Sequence, residues 1–266
     1  MMNLDFTGKS IVVTGGTSGI GLDIATLLAE LGGKVSICAR SADNVAGVVE
    51  RLRARNFTVH GKAVDVADSR AMFAYADEVE AAFGGIDVWI NNAAVYPQYQ
   101  IVDTPEDVWE STVAINMRSV YIGARIARQK MASKGGVLIN ASSFAALMPS
   151  VGSGLYAATK AAVSSMTKVL AAELAPYGIR VNCYIPGLID TPMTRPLLER
   201  NGDAMRQSIA MNRFGGGADV AHAVAFLASP YAGYVTGAAL EISGGKFCVQ
   251  NPMAAWAGAA SPEAGD

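Results

Sequence analysis

Two side chains in the run LYAATK have types and spacing suited to moving a proton together: Tyr156 and Lys160. They stand four residues apart at the front of an alanine-rich stretch that reads as one helix ending at Gly178. Residues at that spacing share a helix face. In most helices such a pair is ordinary structure. Its chemical alternative is an acid–base pair in which the lysine stabilises the phenolate. A free tyrosine has a pKa of about 10, and bringing it to about 7 requires roughly 4 kcal/mol of differential stabilisation. An ammonium one turn away in a dry site, close to a positively charged ring, is a source of that size. Ser143 in INASSF and Asn116 in VAINMRS are further polar positions. Taken singly, the first reads as a strand-end turn former and the second as a polar helix residue.

A second chemical signal lies near the N-terminus, where TGGTSGIG follows an apolar run and precedes a helical pattern. Glycines there let the chain turn sharply and approach a pyrophosphate, while the helix start offers free N–H groups and the positive end of its dipole. The spacing is G-x-x-x-G-x-G, unlike the commonest dinucleotide fingerprint. The next strand ends at Cys38-Ala39-Arg40-Ser41, with no carboxylate in 37–41 to hold ribose hydroxyls. An arginine at that place suits a 2′-phosphate instead, so the reading favours NADP(H), with NAD(H) as the alternative.

The elements that must position these groups follow from hydrophobic periodicity. Strands are predicted at SIVVT (10–14), KVSIC (34–38), TVHGKAV (58–64), DVWIN (87–91), GVLINA (136–141), RVNCYI (180–185) and ALEIS (239–243). Amphipathic stretches such as LDIATLLAEL, SRAMFAYADEVEAAF and ADVAHAVAFLAS separate them. PEDVWESTVAINMRSVYIGARIARQKM reads as another such stretch. Near-continuous apolar strands alternating with helices predict a single α/β domain: a Rossmann-like, doubly wound parallel sheet with helices on both faces. That domain covers 1–245. Within it, 188–217 reads as an irregular excursion, with two prolines and three methionines, placed to cover a substrate. Residues 246–266 form a tail: Phe247, Val249 and Trp256 anchor its first part on the body or on a neighbouring subunit, and AAWAGAASPEAGD is loose.

Composition narrows the function classes. Hydrophobic residues make up 51% of the 266 and charged ones 17%, enough apolar material for a large core. A net charge of −2 with scattered basic residues gives no footprint for nucleic acid or an anionic membrane. No signal peptide or membrane span is expected, and Cys38, Cys183 and Cys248 read as reduced thiols of a cytoplasmic protein. The two histidines, His60 and His222, lie far from any serine or cysteine pattern, so a hydrolase triad lacks its base. No cluster has metal-ligand spacing.

In order, TGGTSGIG, Asp65, NNAA (91–94), Asn116, Ser143, Tyr156 with Lys160 and PGLIDTPM (186–193) resemble the classical short-chain dehydrogenase/reductases, from about Lys9 to Gly245. The resemblance implies a seven-stranded sheet and a homotetramer. It implies that Tyr156 is the acid, or the base in oxidation, and that Lys160 lowers its pKa and holds the nicotinamide ribose. Ser143, chosen over Ser142 on spacing, would hydrogen-bond the substrate oxygen, and Asn116 would anchor a water leading protons to the lysine. For the dinucleotide it implies Gly15, Thr17, Ser18, Gly19, Ile20 and Gly21 at the phosphates and Arg40 at the ribose. Asp65 and Val66 would border the adenine. Asn91 and Ala93 would stand beside the cofactor, with Pro186, Gly187, Ile189 and Thr191 around the nicotinamide. Departures are Ala94 where glycine is common, Ala146 after the serine pair, and Ser18 where many NADP-using members carry a basic residue.

The expected reaction interconverts a ketone and a secondary alcohol by hydride transfer. Tyr96, Phe144, Met148, Val151, Tyr184 and Met193 are the candidate substrate contacts, an apolar and aromatic set with adaptable methionines. They suggest a medium-sized alicyclic or aromatic substrate, with a 3-oxoacyl thioester as the rival. A catalytically silent dinucleotide sensor on the same fold is the alternative of another class.

Overall fold

Ile11, Val12 and Val13 have no exposed surface, as a strand covered on both faces requires, and their β-branched side chains suit the pleat. They belong to β1 (Ser10–Thr14), an inner strand of a seven-stranded parallel sheet of order β3-β2-β1-β4-β5-β6-β7. The other strands are β2 (Lys34–Ala39), β3 (Val59–Ala63), β4 (Val88–Asn91), β5 (Gly136–Ala141), β6 (Ile179–Pro186) and β7 (Ala239–Ile242). Each predicted strand is present, with ends moved by a residue or so. The computed structural model describes residues 4–246 and 248–259.

Helices cover both faces. On one side α1 (Gly19–Glu30), α2 (Ala42–Arg53) and α8 (Gly217–Ala228) bury Ile24, Leu28, Val48 and Val224 against the sheet. On the other, α3 (Ser69–Phe83), α5 (Ser119–Met131) and α6 (Gly154–Leu174) bury Tyr75, Val79, Ile122, Ile126 and Leu174 around Trp89. Strand order reverses between β1 and β4, and there the chain ends of the two strands part to leave a crevice. Thr14 ties its two lips together. Its Oγ1 donates to the Ile90 carbonyl at 3.3 Å and accepts from the amides of Asn92 at 3.0 Å and Ala93 at 3.1 Å.

Three stretches differ from the sequence reading. The long amphipathic run after Pro105 is α4 (Glu106–Val113) and α5 joined by a wider π-type turn at Ala114–Arg118. Such turns frequently mark functional positions, and periodicity does not reveal them. The excursion 188–217 is not irregular: α7 (Arg195–Gln207) fills its middle, with Pro196 in the first turn, where the missing N–H costs nothing. Its backbone kinks at Asn201, and Leu188, Leu198 and Ile209 form a small core beneath it with Phe144 and Met205. Finally, the start of the supposedly loose tail is helical, α9 (Met253–Ala259). The indole of Trp256 donates to the Ala210 carbonyl at 2.9 Å. Phe247 lies outside the described residues.

A buried polar chain fastens β4, β5 and α6. Trp89 Nε1 donates to Asn91 Oδ1 at 2.8 Å, Asn91 Nδ2 to Asn140 Oδ1 at 2.9 Å, and Asn140 Nδ2 to Thr167 Oγ1 at 3.0 Å. Asn140 and Thr167 have no exposed surface, so removing one amide strands its neighbours in a low-dielectric interior. Asn140→Ala is expected to lower stability by about 2–4 kcal/mol in chemical denaturation. A loss under about 1 kcal/mol would mean that the chain is not carrying load at that seam.

Candidate active site

The carboxyl end of β5 and the first turns of α6 bring the proton-handling groups together. Lys160 is 2% exposed, and its ammonium donates to the Ala141 carbonyl at 2.7 Å. Ser142 Oγ donates to the Lys160 carbonyl at 3.0 Å and lies 2.7 Å from Ser164 Oγ. Ser142 is therefore a fastener between strand and helix. Ser143 points the other way: its Oγ accepts from the Ala145 amide at 3.2 Å, and it lines a cavity together with Tyr156. The Lys160 ammonium stands 5.8 Å from the centre of the Tyr156 ring, and Tyr96 meets that ring edge to face at 4.8 Å.

Burial sets the protonation of this pair. It pushes the Tyr156 phenol up to about 12, with the Ser143 side chain opposing and Tyr96 reinforcing the rise. It pushes Lys160 down to about 8. Both shifts have desolvation as their first cause, and the Lys160 ammonium is directed at a carbonyl.

Asn116, 1% exposed, sits in the π-type turn between α4 and α5. Its Oδ1 accepts from the Val95 amide at 2.8 Å, and its Nδ2 donates to the Val95 carbonyl at 2.9 Å and to Thr159 Oγ1 at 3.2 Å. The side chain therefore locks the loop after β4 to the residue preceding Lys160. It is not a surface polar position.

A cleft of about 380 Å³ runs across the crevice at the β1/β4 reversal. Gly15, Thr17, Ser18, Gly19, Ile20 and Gly21 form one wall, with Arg40, Asp65 and Val66 at one end. Ala93, Tyr156, Lys160, Pro186 and Thr191 line the rest. The loop is shaped by exclusion. Gly15 has φ +67°, and a Cβ there would lie 2.9 Å from the Ala93 Cα; one on Gly21 would lie 2.3 Å from the Gly15 carbonyl oxygen. Ser18 precedes α1 in extended conformation without capping it, and no carboxylate occupies the first turn. The first-turn N–H groups and the dipole's positive end are therefore available to an anion. These residues fit a dinucleotide.

Asn91 is not on this wall, turned away by its bonds to Trp89 and Asn140. Asn92 takes its place on the cleft wall, held by Tyr184, whose hydroxyl donates to Asn92 Oδ1 at 2.9 Å. Alternation along a strand reverses a side chain's direction at each residue, so neighbouring asparagines face opposite ways.

A second cavity of about 540 Å³ adjoins the first, and both reach Ile20, Tyr156, Pro186, Thr191 and Met193. Tyr96, Phe144 and Val151 line this second cavity, as do Gly187 and Ile189, which the sequence reading placed at the nicotinamide. Two substrate candidates fall elsewhere. Tyr184 is fully buried under the dinucleotide cleft, and Met148 borders a separate surface groove beside Cys248 and Val249. Residues missed by sequence reasoning include Gln98, Tyr99, Gln100 and Lys246. Lys246 follows the last strand by four residues in what reads as a tail, and no local signal points it inward.

A family model described as enoyl-(acyl carrier protein) reductase matches residues 15–246. The 3-oxoacyl-(acyl-carrier-protein) reductase of Staphylococcus epidermidis is 36% identical over 241 residues, covering 90% of this chain and 99% of that one. Its Vibrio cholerae counterpart is 34% identical over 249 residues, covering 93% and 100%. Among solved structures, a protein described as a putative short-chain alcohol dehydrogenase from Sinorhizobium meliloti superposes with TM-score 0.88 at 30% identity, covering 93% and 99%. With the parallel sheet, the uncapped glycine loop and the Tyr156–Lys160 pair already in place, these likenesses identify the chain as a member of the short-chain dehydrogenase/reductase family of oxidoreductases.

Proposed function

We propose that this oxidoreductase interconverts a ketone and a secondary alcohol with NADP(H), Tyr156 carrying the proton. The observation that supports it most is the meeting of the two cavities at Tyr156, with Ser143 on the substrate side and Lys160 on the dinucleotide side. When bound, the nicotinamide supplies or takes the hydride. The chain then does the rest. Ser143 donates to the carbonyl oxygen as negative charge grows there, Tyr156 delivers the proton that completes the hydroxyl, and Lys160 stabilises the phenolate left behind. In oxidation the same atoms run in reverse, with the phenolate as base.

A high phenol pKa before binding suits an acid held protonated, and positive charge in the cleft would bring it into range for exchange. Arg40 at the ribose end, with Asp65 the sole carboxylate lining that cleft among the described residues, supports NADP(H) over NAD(H). The apolar wall of Phe144, Leu188, Leu197, Met193 and Met205 supports a medium-sized, mainly apolar substrate. The names of the curated relatives favour a second reading, 3-oxoacyl thioester reduction. Self-association as a homotetramer draws support from exposed Trp109, Tyr121 and Val169 on α4, α5 and α6.

A panel of cyclic and aryl ketones, 3-oxoacyl thioesters and an enoyl thioester, run with NADPH and NADH, separates these readings. Turnover confined to thioesters would remove the free-ketone assignment. In Tyr156→Phe, folded and dinucleotide-bound, turnover is expected to fall by about 10²–10⁴-fold; near-normal rates would refute the proton role. Arg40→Asp should shift the NADPH/NADH preference toward NADH by at least about tenfold, through loss of one charged phosphate contact. Difference absorbance between wild type and Tyr156→Phe tests the protonation argument. Without dinucleotide, no Tyr156 ionisation is expected below about pH 11, one unit under its raised value. Oxidised dinucleotide should move that transition downward. An ionisation near neutrality in the free protein would show that Lys160 alone suffices.

A further inference from the structure

The segment 248–259 lies beyond the stretch that matches the family model, and it is seated on the cover of the substrate cavity. α7 supplies Leu197 and Met205 to that cavity, yet Leu198 is the one residue it buries fully. An element so thinly anchored opens at low free-energy cost, and its position is set by what holds its two ends. At the near end Arg195 pairs with Asp190 at 3.1 Å. At the far end the chain passes through Ile209, Ala210 and Met211, which are gripped along both edges. On one edge Ile209 pairs with Lys246 in an antiparallel bridge, and the Met211 amide donates to the Gly244 carbonyl at 3.0 Å. Antiparallel pairing turns the backbone groups of the residue between to the opposite edge, so the Ala210 carbonyl needs another partner. The Trp256 indole N–H donates to it there at 2.9 Å. The approach is close by construction: Gly245 has φ +77°, and a Cβ on it would lie 2.9 Å from the Ala210 Cβ.

α9 buries none of its residues, and Trp256 is 49% exposed, so apolar packing does not explain where this helix sits. Its indole brings a side-chain donor back to a backbone carbonyl three residues past the end of α7. We infer that Trp256 is a positioning residue of the substrate cavity. Its indole closes a clamp on Ala210 that holds the far end of α7 down, so the C-terminal segment sets how far the cover opens to substrate. Leu197 and Met205 reach the cavity only while α7 is held in this place, which ties the clamp to the binding of an apolar ketone. The control of substrate entry deepens the ketone–alcohol reading and rests on it, whereas the clamp stands on the geometry alone.

The test uses the full chain carrying Trp256→Phe, which keeps an aromatic ring and loses the N–H, and Trp256→Ala, each loaded with NADPH. Amide hydrogen exchange across 203–211 should accelerate by about 2–10-fold in both, the effect of one hydrogen bond on a local opening. Trypsin should cut after Arg200 and Arg206 faster by a similar factor, while exchange in β1 and β5 stays at the wild-type rate. KM for the panel ketone turned over fastest should rise with kcat unchanged or higher, because contacts to Leu197 and Met205 are lost without touching the proton-handling groups. Unchanged exchange and cleavage around α7 in both variants overturns the clamp. Acceleration spread evenly through the sheet overturns it too, since Trp256 would then support the whole fold. Local loosening with KM unchanged, or a fall in kcat at constant KM, removes the control of substrate entry and with it the assignment. Local loosening in a protein that reduces no oxo compound of the panel would instead refute the reaction assignment and leave the clamp standing.

Discussion

The seam between β5 and α6 is the constraint on which the site depends. Three buried contacts close it: Lys160 on the Ala141 carbonyl, Ser142 on the Lys160 carbonyl, and Asn140 on Thr167. Together they fix the rotation of α6 about its own axis. That rotation aims Tyr156 at the junction of the two cavities and leaves Ser143, one residue beyond the strand's fastener, facing the same space. Asn116 then clamps the β4 loop to Thr159, so the second lip of the crevice is referenced to the same helix. Proximity of this kind is where much of an enzyme's barrier reduction originates, because the groups are held before substrate arrives.

The electrostatic state of that seam is a consequence of how it is built. A lysine used as a fastener is buried, and the surroundings that bury it bury the neighbouring phenol as well. The raised Tyr156 and lowered Lys160 are two results of one desolvation.

The cover of the substrate cavity follows a different logic. α7 carries Leu198 and, partly buried, Met205 into the small core beneath the cover, where they meet Leu188, Ile209 and Phe144. Further support comes from the C-terminal segment, through Lys246 on Ser208 and Trp256 on Ala210, and from Arg195 on Asp190. Elements with few buried apolar contacts sit at the low end of local stability, which suits a wall that must admit substrate.

Much of the architecture was legible in the chain itself. Apolar runs of strand length between amphipathic stretches announced the inner strands most plainly, because burial on both faces leaves no alternation to confuse, whereas the edge strands β3 and β7 are partly exposed. Glycines at 15 and 21 and the Tyr156–Lys160 spacing are local patterns, readable because turn geometry and helix period act over a few residues. What local rules cannot reach came out differently. Asn91 and Asn92 exchanged roles because strand alternation is decided by register with β1 and β5. The π-type turn at Asn116 leaves hydrophobic periodicity almost untouched. Tyr184 left the substrate wall because β6 places it under the dinucleotide cleft. Lys246 entered that wall because a bridge to Ile209, thirty-seven positions earlier, turns it inward. The sequence by itself determined the fold and the candidate proton-handling groups, through short-range periodicity. The pairing of distant segments, a tertiary property, decided which side chains line the two cavities and how deeply they are buried.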